Sequence, residues 1–262
     1  MTDPVLLTRA GAVARLTLNR PEAGNAIDPA MARALREAAI VCAEDLAIRC
    51  VVLGAGGRMF CAGGDIGAFS SQLENLGALT RALTADLHAA MAIFARMEKP
   101  LITAVNGPAA GAGFSLALAG DLVLAGQSAV FAPAYGGIGL SPDGGASWLL
   151  PRLVGLRRAQ EMLLLGLRLN AEQALAEGMI TRLYPDETLQ AEADEMAARV
   201  AGGAVRAWGR TRALLLESFA ATLPAQLDAE ARAIAQSGND AEAREGIAAF
   251  LARRKPDFPA GG

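Results

Sequence analysis

Short apolar runs separated by turn residues fill the first half of the chain, which is the pattern of a strand-rich segment. Residues 13–18 alternate, with Leu16 and Leu18 on one face, and predict a strand that pairs with residues 5–8 across a turn at Ala10-Gly11. Further short apolar runs are bounded by glycine, proline or charged residues. They predict strands at residues 50–53, 101–105, 122–124 and 129–131.

Helical patterns alternate with these strands. Asp28-Pro29 suits an N-cap followed by proline at the first helical position, so we expect a helix from there to about Leu46. A longer helical pattern covers residues 72–97 and stops before Pro100, and a short helix of small residues ends near Gly120. Strand, strand, helix recurs roughly every 45 to 50 residues, which predicts an α/β fold built as a stacked superhelix of ββα turns.

The second half of the chain, from Gly144 onward, has an almost wholly helical pattern. Asn170 and Gln173 suit the reciprocal hydrogen bonds of a capping box, and residues 240–255 predict a final amphipathic helix. No proline-rich, serine-rich or highly charged linker marks a sharp domain boundary. We therefore expect a core over residues 1–200, followed by a helical region over residues 201–262.

Composition and charge narrow the class of protein. The 262 residues, 53% of them hydrophobic, suit one large domain with its own core. A net charge of −3 gives no general basic surface for nucleic acid. Three cysteines without a Cys-x-x-Cys pair favour a reducing compartment. With no signal-peptide pattern and no apolar run of membrane-spanning length, we expect a cytoplasmic protein with neither a nucleic-acid nor a membrane partner.

Two glycine-rich segments each follow a predicted strand. Residues 60–66 read Phe-Cys-Ala-Gly-Gly-Asp-Ile, whose small residues would let the backbone approach a ligand closely. The same segment also suits a tight strand-to-helix turn in which Asp65 is a local cap. Residues 107–113 read Gly-Pro-Ala-Ala-Gly-Ala-Gly, where free amides at a helix start would attract negative charge, although close helix–sheet packing is the ordinary explanation.

A third segment, residues 135–145, brings a carboxylate. Asp143 suits either a cap of a helix beginning at Gly144 or a reactive carboxylate at the mouth of a glycine-lined cleft. His88 is the one histidine of the chain and lies in the long predicted helix, where an exposed or hydrogen-bonded histidine is ordinary. A histidine-rich metal site is therefore excluded, and we expect no metal. The absence of a Gly-x-Ser-x-Gly motif leaves a hydrolase triad without support.

In this order and spacing, the motifs resemble the crotonase superfamily, the enoyl-CoA hydratases and isomerases, over nearly the whole chain. The resemblance implies a spiral of ββα turns with a C-terminal helical domain, in which residues 201–262 form a homotrimer or a dimer of trimers. The segments that carry it are Leu18-Asn19-Arg20-Pro21 to Asn25-Ala26, residues 60–66, residues 106–113, Glu245-Gly246 to Phe250-Leu251, and Arg254-Lys255-Pro256.

The resemblance also implies a substrate and roles for particular residues. The substrate is an acyl-CoA thioester, so coenzyme A enters with the substrate and no separate cofactor is expected. The backbone amides of Ala62 and Ala112 are expected to form the oxyanion hole. Other expected substrate contacts, beyond Ala62 itself, are Ala23, Gly24, Gly63, Gly64, Asp65, Ile66, Gly111, Ser115 and Tyr135.

Departures from the family pattern point to the reaction. The two glutamates of crotonase-type hydratases match Ser115 and Tyr135 here, and neither side chain can replace a carboxylate. Asp143 is the one motif-matched carboxylate that remains, in a position similar to the aspartate of dienoyl-CoA and epoxyphenylacetyl-CoA isomerases. Hydration needs one group to take a proton from water and another to protonate carbon, whereas one carboxylate can shift a double bond. We therefore expect an enoyl-CoA isomerase with Asp143 as acid and base.

Three alternatives stay open at this point. The first is an enoyl-CoA hydratase. The second is a dehalogenase-like hydrolase, in which Asp143 attacks the substrate and His88 activates water, because both residues match that enzyme's catalytic positions. The third is a protein that binds CoA esters without turnover. The sequence does not define the acyl group.

Overall fold

Two sheets organise residues 3–258, the part of the chain that the structure, a computed structural model, describes. The strands are β1 Val5–Ala10, β2 Val13–Leu18, β3 Cys50–Ala55, β4 Leu101–Val105, β5 Ala109–Ala110, β6 Leu122–Gly126, β7 Val130–Ala132, β8 Leu169–Asn170 and β9 Arg182–Tyr184. The helices are α1 Pro29–Glu44, α2 Ile66–Ser70, α3 Leu76–Arg96, α4 Ala112–Ala117, α5 Ala146–Val154, α6 Leu156–Leu165, α7 Ala171–Ala176, α8 Leu189–Ala201, α9 Val205–Ser218, α10 Leu223–Asn239 and α11 Ala241–Leu251.

The larger sheet is built mostly from parallel strands in the order β1-β2-β3-β4-β6-β9. β1 and β2 form its antiparallel hairpin, as the alternating pattern predicts, and Ala10 pairs with Val13. The smaller sheet has the order β5-β7-β8. Because β4 leads into β5 and β6 leads into β7, the chain passes from one sheet to the other in successive turns. This arrangement confirms the predicted α/β spiral.

Alternate residues of the central strands face two separate cores. In β3, Val51 and Leu53 belong to the core that contains α1 and α3, whereas Cys50 and Val52 belong to the core that contains α8. A parallel strand covered by helices on both faces is buried along its whole length. The sequence of β3 and β4 is therefore a continuous apolar run rather than an alternating one.

Helix starts follow the capping signals of the sequence. The Asp28 carboxylate accepts the Met31 backbone N–H at 2.8 Å, and proline occupies the first turn of α1. The predicted capping box between Asn170 and Gln173 is present at the start of α7. Helix α3 begins at Leu76 rather than at residue 72, because Leu73–Asn75 form a separate 3-10 turn.

The expectation of an almost wholly helical second half is wrong in two places. β9 pairs with β6 and completes the larger sheet, and β8 pairs with β7 in the smaller one. Strands of two or three residues are too short to leave a periodic pattern in the sequence. Their position depends on the neighbouring strands, so only the folded chain reveals them.

The C-terminal helices α9, α10 and α11 follow the sheet-covering helix α8. Arg49, at the start of β3, donates to the carbonyls of Ala201 and Gly203 at 2.6 Å each and to the Glu242 carboxylate at 3.3 Å. These contacts attach the helical region to the core. The boundary near residue 200 stays a prediction. Within residues 3–258, no helix is both long and apolar enough to cross a membrane.

Candidate active site

A cavity of about 570 Å³ lies where the two glycine-rich segments meet the segment that precedes α5 and one side of α3. Its wall contains Asp143 and many apolar or small residues. Among the residues singled out from the sequence, those that line it are Ala62, Gly63, Gly64, Ile66, His88, Gly111, Ala112, Tyr135 and Asp143.

Backbone hydrogen bonds hold the two glycine-rich segments side by side. The Phe60 amide donates to the Pro108 carbonyl at 3.1 Å, and the Ala110 amide donates to the Cys61 carbonyl at 2.9 Å. Gly63 has a φ of +97°, and a Cβ atom there would lie 2.8 Å from the carbonyl oxygen of Ala110. A larger residue at position 63 would therefore push the two segments apart.

The amides in these segments differ in whether they are available to a ligand. The Ala62 amide donates to the Gly24 carbonyl at 2.9 Å, so the expectation that Ala62 supplies an oxyanion donor is corrected. The amides of Gly64 and Ala112 donate to no other group among the described residues, and both residues line the cavity. Two unpaired N–H donors in one cavity wall are suited to bind an oxygen that gains negative charge.

The Asp143 side chain is half-buried in the cavity wall. Its Oδ1 accepts a hydrogen bond from the Tyr135 hydroxyl at 2.7 Å. Helix α5 begins at Ala146, and its N-cap position is Gly145, which makes no side-chain capping bond. The alternative in which Asp143 caps this helix is therefore wrong. Its carboxylate instead faces the cavity that contains the two free amides.

Ser115 and Tyr135 lie together behind Asp143. The Ser115 Oγ is 2.8 Å from the Tyr135 hydroxyl and donates to the Asp143 backbone carbonyl at 2.8 Å. Ser115 is fully buried and does not line the cavity, so the expectation that it contacts substrate is corrected. Burial, followed by the nearby charge of Asp143, raises the pKa of Tyr135 well above its usual range. The phenol is therefore a neutral hydrogen-bond donor.

His88 reaches the same segment from α3. Its Nε2 accepts the Gly144 backbone N–H at 3.0 Å. A nitrogen that accepts a hydrogen bond carries no proton, so the neutral ring holds its proton on Nδ1. The lone pair that would activate water is thus already engaged with the residue next to Asp143.

Three other expected substrate residues have different surroundings. The Asp65 carboxylate caps α2 by accepting the Ala68 N–H at 3.1 Å, and it pairs with Arg20 at 3.2 Å. The Ala68 N–H is the main reason why the pKa of Asp65 is lowered. Ala23 and Gly24 lie outside the cavity lining, and the Gly24 carbonyl binds the loop at Ala62. The Asp65 carboxylate thus serves the cap of α2 and the ion pair with Arg20.

The sequence prediction missed the apolar wall of the cavity and its polar neighbours. On α3, three of the missed residues, Thr80, Arg81 and Thr84, share one face with His88, because they stand eight, seven and four positions before it. The sequence contained one signal that could have identified them, namely the helical spacing that places these residues on the same face as His88. The missed residues are Phe69, Gly77, Thr80, Arg81, Leu83, Thr84, Ala134, Ile138, Leu140, Ser141 and Pro142.

Comparison with known proteins identifies the family of the chain. A family model described as enoyl-CoA hydratase/isomerase matches residues 8–261. The chain belongs to this family. The crotonase resemblance of the sequence is thereby confirmed, and membership of the enoyl-CoA hydratase/isomerase family implies a CoA thioester substrate.

Relatives in the enoyl-CoA hydratase/isomerase family carry both activity names. The 1,2-epoxyphenylacetyl-CoA isomerase of Escherichia coli is 40% identical over 94% of each chain. A probable enoyl-CoA hydratase of Rhodobacter capsulatus is 41% identical, also over 94% of each chain. A crystal structure of an enoyl-CoA hydratase from a Polaromonas species superposes with a TM-score of 0.93 at 35% identity, covering 97% of this chain and 99% of the other.

Proposed function

We propose that the protein is an acyl-CoA isomerase that shifts a double bond through a thioester enolate. The observation that carries this proposal is the composition of the cavity wall. Among its described lining residues, Asp143 is the one carboxylate, and it shares the wall with the free amides of Gly64 and Ala112. One carboxylate beside two amide donors is the set of groups that a proton shift needs.

The proposed reaction uses Asp143 twice. Its carboxylate removes a proton from a carbon of the acyl chain, and the electron pair of that C–H bond moves toward the thioester oxygen. The amides of Gly64 and Ala112 bind the resulting dienolate oxygen. Asp143 then returns the proton two carbons away, so that no atom is gained or lost. Removal of one oxyanion donor typically costs about 10²–10³ in rate, so the amides carry a large share of the catalysis.

Hydration is less well supported by the same groups. It requires a second acid–base group to activate water while the first protonates carbon. Ser115 and Tyr135 stand at the two positions where family hydratases carry glutamates. Ser115 is buried, and the raised pKa of Tyr135 keeps its phenol protonated. Neither residue is suited to take a proton from water at neutral pH.

The hydrolytic alternative requires His88 to activate water for attack on an acyl-aspartate at Asp143. The Nε2 atom of His88 accepts the Gly144 N–H at 3.0 Å, so its lone pair is engaged. This contact favours a positional role for His88 over a basic one. A member that binds CoA esters without turnover would have no use for a carboxylate held in the cavity wall, and Asp143 is the feature against that alternative.

Product mass tests these alternatives directly. Purified protein is mixed with a panel of enoyl-, dienoyl- and aryl-acyl-CoA esters, with 1,2-epoxyphenylacetyl-CoA included because a relative bears that name. Isomerisation leaves the substrate mass unchanged but changes its retention and absorbance. Hydration adds one water. Dehalogenase-like hydrolysis of a halogenated aryl-acyl-CoA ester in the panel exchanges halide for hydroxyl and releases the halide, and a non-catalytic protein gives none of these products.

Asp143→Asn should abolish turnover on this panel while leaving CoA-ester binding nearly unchanged, since the carboxylate moves protons and the amides bind. Asp194→Asn, which alters an exposed aspartate on α8 that pairs with Arg15 of β2, is the matched control. Binding is measured by calorimetry and turnover by chromatography with mass detection. Near-wild-type activity in Asp143→Asn would refute the single-carboxylate mechanism.

A further inference from the structure

Asp143 needs a hydrogen-bond partner in each of its two protonation states. As a carboxylate it is an acceptor only, whereas after taking the substrate proton it also has an O–H to donate. A half-buried group left without a partner in either state would add to the barrier. The residues behind Asp143 therefore bear on its reactivity as much as those in front of it.

We propose that Tyr135 and Ser115 form a reversible hydrogen-bond relay that positions Asp143 and accommodates its proton. The proposal rests on the role of Asp143 as acid and base stated above. It also concerns the two positions at which family hydratases carry their glutamates. In this chain the side chains at those positions contact the catalytic carboxylate or its backbone rather than water.

The relay satisfies the ionised state first. The Tyr135 O–H donates to the Asp143 Oδ1 at 2.7 Å, and the Ser115 O–H donates to the Asp143 backbone carbonyl at 2.8 Å. The Tyr135 side chain is nearly buried and Ser115 is fully buried, so water does not compete freely for these groups. Asp143 is thus hydrogen-bonded both at its carboxylate and at its backbone carbonyl.

The same atoms satisfy the protonated state after one rotation. When the proton that Asp143 has taken lies on Oδ1, the Asp143 O–H donates to the Tyr135 oxygen. The tyrosine O–H then turns to the Ser115 Oγ, which lies 2.8 Å away. The serine keeps its donation to the Asp143 carbonyl. The Asp143 Oδ1, the tyrosine oxygen and the serine oxygen thus each have a partner in both protonation states.

Other groups near Asp143 are too few to replace the relay. The titratable neighbours on the packed elements are Tyr135, His88 from α3 and Cys61 from the segment after β3. His88 engages the Gly144 amide rather than the carboxylate. Burial raises the pKa of Cys61 to about 12, so that thiol stays neutral. Among the described residues that line the cavity, Arg81 is the one arginine, and none is lysine.

The variant Tyr135→Phe removes the relay's central hydroxyl and keeps the ring. We expect kcat to fall about 10- to 100-fold, with KM changed less than threefold. Tyr184→Phe, which alters the other tyrosine of the chain in β9, is the matched control and keeps both parameters.

Ser115→Ala provides the second arm. It should lower kcat less than Tyr135→Phe does. The double variant should lose less than the two single effects combined, because the Ser115 Oγ serves the relay only as the partner of the Tyr135 hydroxyl. A full additive loss, or a change in KM instead of kcat, would overturn the relay. Thermal unfolding by circular dichroism identifies any variant that loses its fold.

A stability measurement separates the relay from the proposed reaction. Urea midpoints are compared for wild type, Tyr135→Phe, Asp143→Ala and the double variant, none of which requires turnover. We expect Tyr135→Phe to lower the midpoint in the wild-type background and to change it little once Asp143 is alanine. Equal shifts in both backgrounds would exclude the contact even if the enzyme proves to be an isomerase. A coupled pair in a chain that fails to isomerise any ester would instead exclude the proposed reaction.

Discussion

The neighbourhood of Ala112 shows how much of the site depends on single backbone atoms. Its N–H group donates to no described protein atom, and the residue stands at the first position of α4. That position tolerates proline within the helix because the first-turn N–H groups have no intrahelical partner. The donor at this position can therefore be removed without breaking a helical hydrogen bond.

Ala112→Pro should lower kcat by about 10²–10³-fold, because the substitution deletes one of the two proposed oxyanion donors. Ala112→Gly keeps the N–H group and should retain most of the activity. Steady-state kinetics on the same CoA ester compare the two variants, and circular dichroism verifies that both are folded. Equal activity in the two folded variants would remove Ala112 from the oxyanion hole.

His88→Gln should change turnover by less than about tenfold, because the glutamine amide oxygen offers the Gly144 N–H another acceptor. If His88 were instead the base of a hydrolase, the variant would trap a covalent acyl group on Asp143. Intact-protein mass spectrometry after mixing with substrate reveals such an adduct. We expect none, and an adduct on the peptide that contains Asp143 would favour the nucleophilic mechanism.

For single residues, the sequence predicted the correct segments but not always the correct hydrogen-bond donors. Ala112 stays a candidate donor, whereas the Ala62 amide is taken by the Gly24 carbonyl and Gly64 supplies the free one instead. Gly24 is far from Ala62 along the chain, so this pairing depends on tertiary contact rather than on local pattern. The same holds for Ser115, whose burial behind Asp143 follows from the packing of α4.

Among the elements, the short helix α2 fixes the loop that contains Gly64. Asp65 caps it through the Ala68 N–H, and Arg20 pairs with both Asp65 and Asp28. These contacts connect the N-terminal segment to the cavity loop. The sequence offered a local cap as one reading of Asp65, and the structure confirms it.

Asp65→Ala should destabilise the protein by about 1 kcal/mol at pH 7, through loss of this cap. The lowered pKa of Asp65 means that its contribution is present above the ordinary aspartate pKa and is lost as pH falls through the folded value. The difference between wild type and variant in urea unfolding should therefore shrink toward pH 3. A difference that is independent of pH would show that the carboxylate charge has no part in the cap.

Long elements and elements with clear caps could be predicted from the sequence, whereas the shortest strands could not. The hairpin of β1 and β2, strand β4 and helix α1 carry strong local signals and appear where expected. β8 and β9 have two and three residues, and their pairing is decided by β7 and β6. A strand defined by its neighbours cannot be recognised from its own few side chains.

For the whole molecule, we expect the C-terminal helices to form a subunit interface. Leu223, Leu227 and Ile234 occupy one face of α10 and are 71%, 54% and 74% exposed. Apolar side chains repeated along one helical face favour association. The resemblance to crotonases implies that the assembly is a trimer or a dimer of trimers.

Multi-angle light scattering should therefore give three or six times the chain mass of 26.9 kDa. The paired substitutions Leu227→Glu and Ile234→Glu should shift the mass toward the single chain, because each buries a charge at the proposed interface. Leu46→Glu, at a residue that is 79% exposed beyond α1, is the matched control. A wild-type protein that elutes as a single chain at micromolar concentration would contradict the expected assembly.

The buried guanidinium of Arg49 couples the two ends of the chain energetically. It contacts carbonyls beside the end of α8 and the carboxylate of Glu242 in α11, and both charged side chains are more than nine-tenths buried. Detachment of the C-terminal helices would separate the Glu242 carboxylate from this charge and break the hydrogen bonds that hold the guanidinium to the Ala201 and Gly203 carbonyls. Sequence boundaries and folding units need not coincide. The helices after residue 200 and the larger sheet should thus melt in one cooperative transition.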